Sequence, residues 1–457
     1  MIEDSKGTIC PGHAGGRGTK SGGLEDQQTD AENRQTRTLT TELMERICSS
    51  ANLNRAYKRV KENKGAPGVD GLTVDQLKAH LTRHKESLLK SLLEGSYEPQ
   101  AVRKVMIPKP DGGERQLGIP TVQDRWVQQA IAQVLEEEFD PEFSESSFGF
   151  RPGRSAHGAL KQAKRYVEEG YIYVVDMDLE KFFDRVNHDI LMSRLARKIK
   201  DKRVLRIIRR FLTAGIAMQD GVVVGRQEGT PQGGPLSPLL SNILLDEVDK
   251  ELERRGHKFC RYADDQNIYV RSRRAGERVF ESINKFLESK LKLKVNQEKS
   301  AVAEVQERKF LGYRLLNNGD LGVAPKSVER LKDKIREITK RNRGISFETV
   351  IGRLNKMLPG WLQYFRLAKV QRLCEDLDAW IRRKLRCYKL KQKRRGIIRF
   401  LMSVGISEKE ARQANSSGKG WWRLSKIPAL HRALNNEWFK SQGLYSLSEH
   451  WARLVNV

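Results

Sequence analysis

Apolar positions along the chain follow two rhythms, one of helices and one of strands. From Thr121 onward, Val122, Trp126, Ala130, Ile131, Val134 and Leu135 recur at helical spacing, Thr121 and Asp124 make a capping box, and Pro141 stops the run. This predicts a helix with a core-facing stripe. Residues Val102 to Ile107 and Arg115 to Ile119 predict two strands joined by a turn at Pro110-Asp111-Gly112-Gly113. An apolar run from Tyr171 to Val175 ends in Asp176 and Asp178, just before a helix-like segment. Further on, Phe259, Tyr262, Ile268, Tyr269 and Val270 are β-formers around Ala-Asp-Asp-Gln, which predicts a hairpin with acids at its tip. Between these acidic strands, Asp220-Gly221 signals another hairpin. Ser237-Pro238 predicts a cap and a first-turn proline, opening a helix that turns Leu240, Ile243, Leu244 and Val248 to the underside of the sheet.

The ends of the chain read differently. Residues 1–38 are rich in Gly, Ser and charge and poor in large apolar groups, so a disordered arm is expected. Helical periodicity begins near Thr41 and reaches a Gly/Pro turn at Gly65 to Gly71; Arg55, Lys58, Arg59 and Lys64 there suit either a phosphate backbone or a solvated helix face. Beyond Asn317 come helices studded with cations, in which Trp361, Tyr364, Trp421 and Trp422 suit either a helical core or stacking on RNA bases.

Charge changes the picture from a generic enzyme to a polyanion binder. The 457 residues carry a formal charge of +27, enough length for two to four domains and an electrostatic footprint that fits nucleic acid. Residues 326–457 hold about 31 Lys/Arg against about 11 Asp/Glu, so about 20 of the excess charges sit in the last third. Neither an apolar run of transmembrane length nor a signal-like start is found, and a cytoplasmic protein without membrane partners is expected. Five cysteines without C-x-x-C spacing suit a reducing compartment, and they supply no zinc site.

An Asp-Asp pair in a turn is by itself ordinary, because Asp side chains bond local backbone. Asp178, at the end of a separate strand, makes Asp264 and Asp265 more than a turn. Three carboxylates from two strands offer hard oxygen ligands to two Mg²⁺ ions, which are also bound through substrate phosphates. Such a pair activates an attacking oxygen and stabilises a leaving one in phosphoryl transfer.

Taken together, DLEKFFD from Asp178, GTPQGGPLSP from Gly229 and YADD from Tyr262 resemble the palm of a reverse transcriptase of the group II intron type. The resemblance runs from about Thr41 to the C-terminus. It implies an α+β fold: right-hand polymerase fingers and palm with an antiparallel sheet, followed by an α-helical thumb and a basic maturase domain. The corresponding partition is 1–38 arm, 39–75 N-terminal extension, 76–316 fingers and palm, and 317–457 thumb and maturase segment.

The same resemblance implies an RNA-directed DNA polymerase that binds intron RNA and assists splicing and mobility. It assigns Asp178, Asp264 and Asp265 to catalysis and to a two-Mg²⁺ site, and Lys109, Arg115, Phe183 and Gln232 to the incoming dNTP. Phe183 lies under the sugar and excludes a 2′-hydroxyl. Lys299 and Gly312 fall near the primer end, and Lys299, Arg151, Arg383 and Arg394 are candidates for nucleic-acid binding. Arg151 suits positioning the template strand or pinning its own loop through carbonyls, and Asp176 is a weaker fourth metal ligand, facing the same side as Asp178. Implied partners are group II intron RNA, an RNA template, a DNA primer or target, and dNTPs; the oligomeric state stays open. The chain reaches Val457 without the Cys/His pairs of a nuclease, so mobility is expected to use primers at replication forks or single-stranded targets. A domesticated or CRISPR-associated enzyme, a retron-like or diversity-generating polymerase and a splicing factor without polymerase use are the alternatives. The long maturase-like C-terminus weighs against the retron kind, and the intact acids weigh against the splicing factor.

Overall fold

A computed structural model describes residues 42–108, 112–218, 222–416, 418 and 420–455, with the side chains of Arg394 and Val455 excepted. The arm 1–38, Lys109, the Pro110-Asp111 half of the Pro110–Gly113 turn and the Asp220-Gly221 turn therefore lie outside the described residues.

Strands β1 (Val102–Pro108) and β2 (Glu114–Ile119) pair antiparallel, Arg103 opposite Ile119. Strand β3 (Tyr173–Met177) opens the second sheet, and the short β4 (Ile216–Ala217) and β5 (Val223–Val224) return to the first, giving the order β2-β1-β4-β5. β6 (Lys258–Tyr262), β7 (Asp265–Val270) and β8 (Ala301–Glu304) complete an antiparallel sheet of order β6-β7-β3-β8.

This second sheet is covered on both faces, and its strands alternate accordingly. Val175, Met177, Phe259, Ile268 and Val270 enter one core, shared with the helices Val122–Phe139 and Ser237–Arg254 and with the N-terminal helices Leu43–Cys48 and Ser50–Asn63. Val174, Cys260 and Tyr269 enter the other, shared with the C-terminal helices. The N-terminal extension and the thumb are thus layers of the palm's own cores. The helix Val122–Phe139 is buried almost all round, Gln128, Gln129 and Gln133 included, rather than along one stripe.

Two local details go beyond the sequence reading. The 316/317 limit falls inside a hairpin, because β9 (Tyr313–Leu315) pairs with β10 (Leu321–Val323) and the next helix begins only at Pro325. Ser237 is not a side-chain cap: it is the first residue of its helix, and its hydroxyl donates instead to the Pro231 carbonyl at 2.7 Å, tying the helix to the loop before it.

Candidate active site

Register brings the acids together. β3 and β7 pair with Met177 opposite Gln266, so one step further Asp178 stands opposite Asp265. β6 and β7 close with Tyr262 opposite Asp265, which leaves Ala263 and Asp264 as a two-residue turn. Ala263 takes φ 58°, a left-handed value that costs a residue with a Cβ about 1–2 kcal/mol. Behind Asp178, its N–H donates to Ser300 Oγ at 2.9 Å, and its carbonyl accepts from the Asn296 N–H at 2.8 Å.

Asp178 and Asp264 line a cleft of about 1100 Å³, together with Arg115, Phe183, Gln232 and Lys299. Arg115 reaches from β2 and donates to Gln232 Oε1 at 2.5 Å, so fingers and palm meet across the opening. The loop bearing Gln232 docks on the fingers through its backbone, the Gly118 N–H donating to the Gln232 carbonyl at 2.9 Å. Gly233 follows at φ 131°, where a Cβ would lie 2.8 Å from the Gly118 carbonyl oxygen, so close approach and left-handed backbone both demand glycine. On the palm side, the Thr230 N–H donates to the Phe183 carbonyl at 2.6 Å, and Phe183 is 9% exposed with its ring edge-on to Phe182.

Negative charge is crowded here. Burial raises Asp264 above the ordinary carboxylate range, with the charge of Asp178 adding and Arg115 opposing. Asp265 is pushed up to about 7, first by its protein surroundings and then by Asp264, Asp178 and Asp176. Lys299 Nζ stands 4.0 Å from Asp178 Oδ2 and is largely exposed, too loose a pair to neutralise the group. Among the described residues no group of three or more His, Cys, Asp or Glu side chains is placed to hold a metal ion by itself. Asp178 and Asp264 present oxygen donors to the cleft, the ligand type that hard divalent cations take alongside phosphate and water.

Other candidates separate. Of the two readings of Arg151, loop pinning is favoured over its nucleic-acid assignment: its side chain is 3% exposed, bonded to Asp140 Oδ1 at 2.6 Å and to the carbonyls of Ser144 and Ser147 at 2.6 and 3.0 Å. It pins its loop, because a buried guanidinium needs acceptors for its fork. Asp176 is likewise engaged, by Arg308 at 2.7 Å, and does not line the cleft. Arg55 pairs with Glu137 at 2.9 Å and Arg59 with Glu136 at 4.0 Å, which favours the structural reading of that helix. Arg383 stacks 3.6 Å over the Trp422 ring and donates to the Trp422 carbonyl, so it meets its own fold first. Trp361 and Trp421 pack against the second core, while Tyr364 and Trp422 are 38% and 40% exposed. Lys109 lies outside the described residues, and Arg394 is described only as backbone, opening a short 3-10 turn. Sequence reasoning passed over Arg308 and Arg261; the signal for the second was a cation between Cys260 and Tyr262 in a strand, just before the acids.

Residues 107–315 match the family described as Reverse transcriptase (RNA-dependent DNA polymerase), and residues 328–401 match Group II intron, maturase-specific domain. Protein YkfC of Escherichia coli is 35% identical over 305 residues, spanning 58% of this chain and 80% of that protein. The chain belongs to the group II intron reverse transcriptases, RNA-directed DNA polymerases that carry a maturase domain. Group II intron-encoded protein LtrA of Lactococcus lactis is 30% identical over 361 residues, 62% of this chain and 60% of that protein. The putative COX1/OXI3 intron 2 protein of Saccharomyces cerevisiae is 28% identical over 338 residues, 61% and 39% respectively. The chain thus spans less than two thirds of the latter two. Members of this reverse transcriptase family use divalent metal ions and act on nucleic acid.

Proposed function

We propose that the protein extends a DNA primer along an RNA template from dNTPs in the cleft between β2 and β7, and that its basic C-terminal helices hold group II intron RNA during splicing and mobility. The observation that carries the reading is the meeting of Asp178 and Asp264 in one cleft, with Arg115 and Gln232 also lining it and Asp265 adjoining at the head of β7. Asp178, Asp264 and Asp265 are the residues that would hold two Mg²⁺ ions, which would supply charge neutralisation for phosphoryl transfer when bound. Arg115 meets the triphosphate, with its donors already oriented by Gln232. Phe183, fixed through its carbonyl by Thr230, presents a bulky ring where a ribose 2′-hydroxyl would stand. Lys299 faces the primer side of Asp178. Positioning and electrostatics carry the rate, and little acid–base work falls to the protein. The free cysteines Cys48, Cys260, Cys374 and Cys387 suit a reducing, cytoplasmic setting.

The test is primer extension on an RNA template with Mg²⁺ and dNTPs, run beside splicing of the flanking RNA. Native protein should extend, Asp264→Ala/Asp265→Ala should fall by about 10²–10³-fold or more, and splicing should persist in both. A native protein that never extends, while binding RNA tightly, returns the acids to an ordinary turn.

A further inference from the structure

Beneath the acidic turn lies a buried guanidinium that the reaction itself does not use. Arg261, in β6, is 1% exposed. Its Nε donates to Asp249 Oδ1 and Oδ2 at 2.9 Å, one Nη donates to Asn242 Oδ1 at 2.9 Å and to the Ala263 carbonyl at 3.0 Å, and the other donates to Ser147 Oγ at 2.8 Å and Asp249 Oδ2 at 2.5 Å. All five N–H donors of the fork are used. The acceptor that matters is the Ala263 carbonyl, because that peptide joins the strained Ala263 to Asp264. The loop 144–150 grips the same turn from the other side: the Arg261 N–H donates to the Ser146 carbonyl at 2.9 Å, the Phe148 N–H donates to the Arg261 carbonyl at 2.8 Å, and Asn242 Nδ2 donates to the Gly149 carbonyl at 2.9 Å. At Gly149 a Cβ would stand 2.2 Å from the Ala263 nitrogen, so the loop lies flat against the turn.

We propose that Arg261 is a positioning residue for metal binding: by holding the Ala263 carbonyl against Asp249 and Asn242, it fixes the left-handed turn that aims Asp264, and with it the geometry in which Asp264 and Asp178 meet a divalent cation. This rests on the polymerase reading of the cleft. A lysine in its place keeps the charge but has no planar fork, so it cannot serve Asp249, Asn242, Ser147 and the turn together. Buried supports of ligating side chains typically affect metal affinity by about 10–100-fold.

The experiment compares native protein, Arg261→Lys, Gly149→Ala and Leu354→Ala, the last a fully buried residue of the second core that serves as a control for general loss of stability. Mn²⁺ binding to the protein without nucleic acid is followed by electron paramagnetic resonance, thermal unfolding is recorded alongside, and the Mg²⁺ concentration for half-maximal primer extension is measured. Arg261→Lys is expected to weaken Mn²⁺ binding by about tenfold or more and to raise the Mg²⁺ requirement in step. Leu354→Ala should lose thermal stability and keep native Mn²⁺ affinity. Gly149→Ala leaves the ion pair intact and displaces the same turn, so it should repeat the Mn²⁺ loss and serves if Arg261→Lys does not fold. Native Mn²⁺ affinity in a folded Arg261→Lys or Gly149→Ala protein, an equal loss in Leu354→Ala, or no Mn²⁺ binding by native protein each overturns the proposal. Absent extension by native protein, with Mn²⁺ bound and lost on Arg261→Lys, sinks the polymerase reading and leaves the positioning role standing.

Discussion

A single carboxyl shows how burial becomes pH dependence. Asp246, in the helix Ser237–Arg254, is pushed up to about 7, by burial first and by the charge of Asp249 second, and its bond from the Ser144 N–H is long at 3.4 Å. A carboxyl whose folded pKa exceeds its unfolded value binds its proton more tightly in the folded state. Stability is therefore greatest below the ordinary 3.8 and is lost as pH rises toward 7. Asp246→Asn should remove that loss: its melting temperature should exceed the native value by roughly 2–4 °C more at about pH 8 than at about pH 5. An equal difference at both pH values contradicts the argument. Phe183 gives a test of chemistry at the same scale. Shortening it to Ala opens the space beside Gln232, and the preference for dNTPs over rNTPs in primer extension should fall by about tenfold or more; an unchanged ratio removes Phe183 from sugar selection. Legibility at this scale followed chemistry. The aspartates stood out because a cluster of acids at strand ends has few structural uses. Arg151 left two readings open in the sequence, and only the packed loop, whose Ser144 and Ser147 carbonyls accept from it, decides for the pinning one.

Elements were read well where their signal was local. The β6–β7 hairpin, β1 with β2 and the helix after Thr121 follow from alternation, turn residues and a capping box. The hairpin of β9 and β10 was cut because its strands have three residues each, too short for a period to register. The Gly229–Gly234 loop was legible as a close approach, but its docking on Gly118 is a tertiary fact. That docking predicts the cost of filling it. Gly233→Ala meets both a left-handed φ and the Gly118 carbonyl, so unfolding in denaturant should show a loss of about 1–3 kcal/mol. Because Gln232 rides on the same loop and holds Arg115, the KM for dNTP should rise as well. A destabilised variant with native KM would separate the loop's packing from its role in the cleft.

At the scale of the molecule, two charge regimes coexist. The palm gathers unbalanced acids at one cleft, while the segment from Lys326 onward carries most of the net +27 of the chain. Composition made this contrast visible, yet not how the basic helices attach: they complete the second core of the palm sheet rather than forming a separate body. On that surface cations sit over aromatic rings, Lys384 5.4 Å from Trp380 and 5.2 Å from Trp422, with Arg336 5.7 Å from Trp380. A ring that already holds a cation offers a folded RNA both a stacking face and a phosphate partner. If these helices hold intron RNA, binding releases counterions. Neutralising about six or more phosphates should lower affinity by about 10³-fold between about 50 and 200 mM monovalent salt. Filter binding across that range tests this directly. Lys384→Glu should flatten the slope by about one phosphate's worth, whereas Asp264→Ala/Asp265→Ala should leave it unchanged. A slope that ignores the thumb cations would move the RNA to another face; one that responds to the aspartates would mean the cleft itself carries the intron contact.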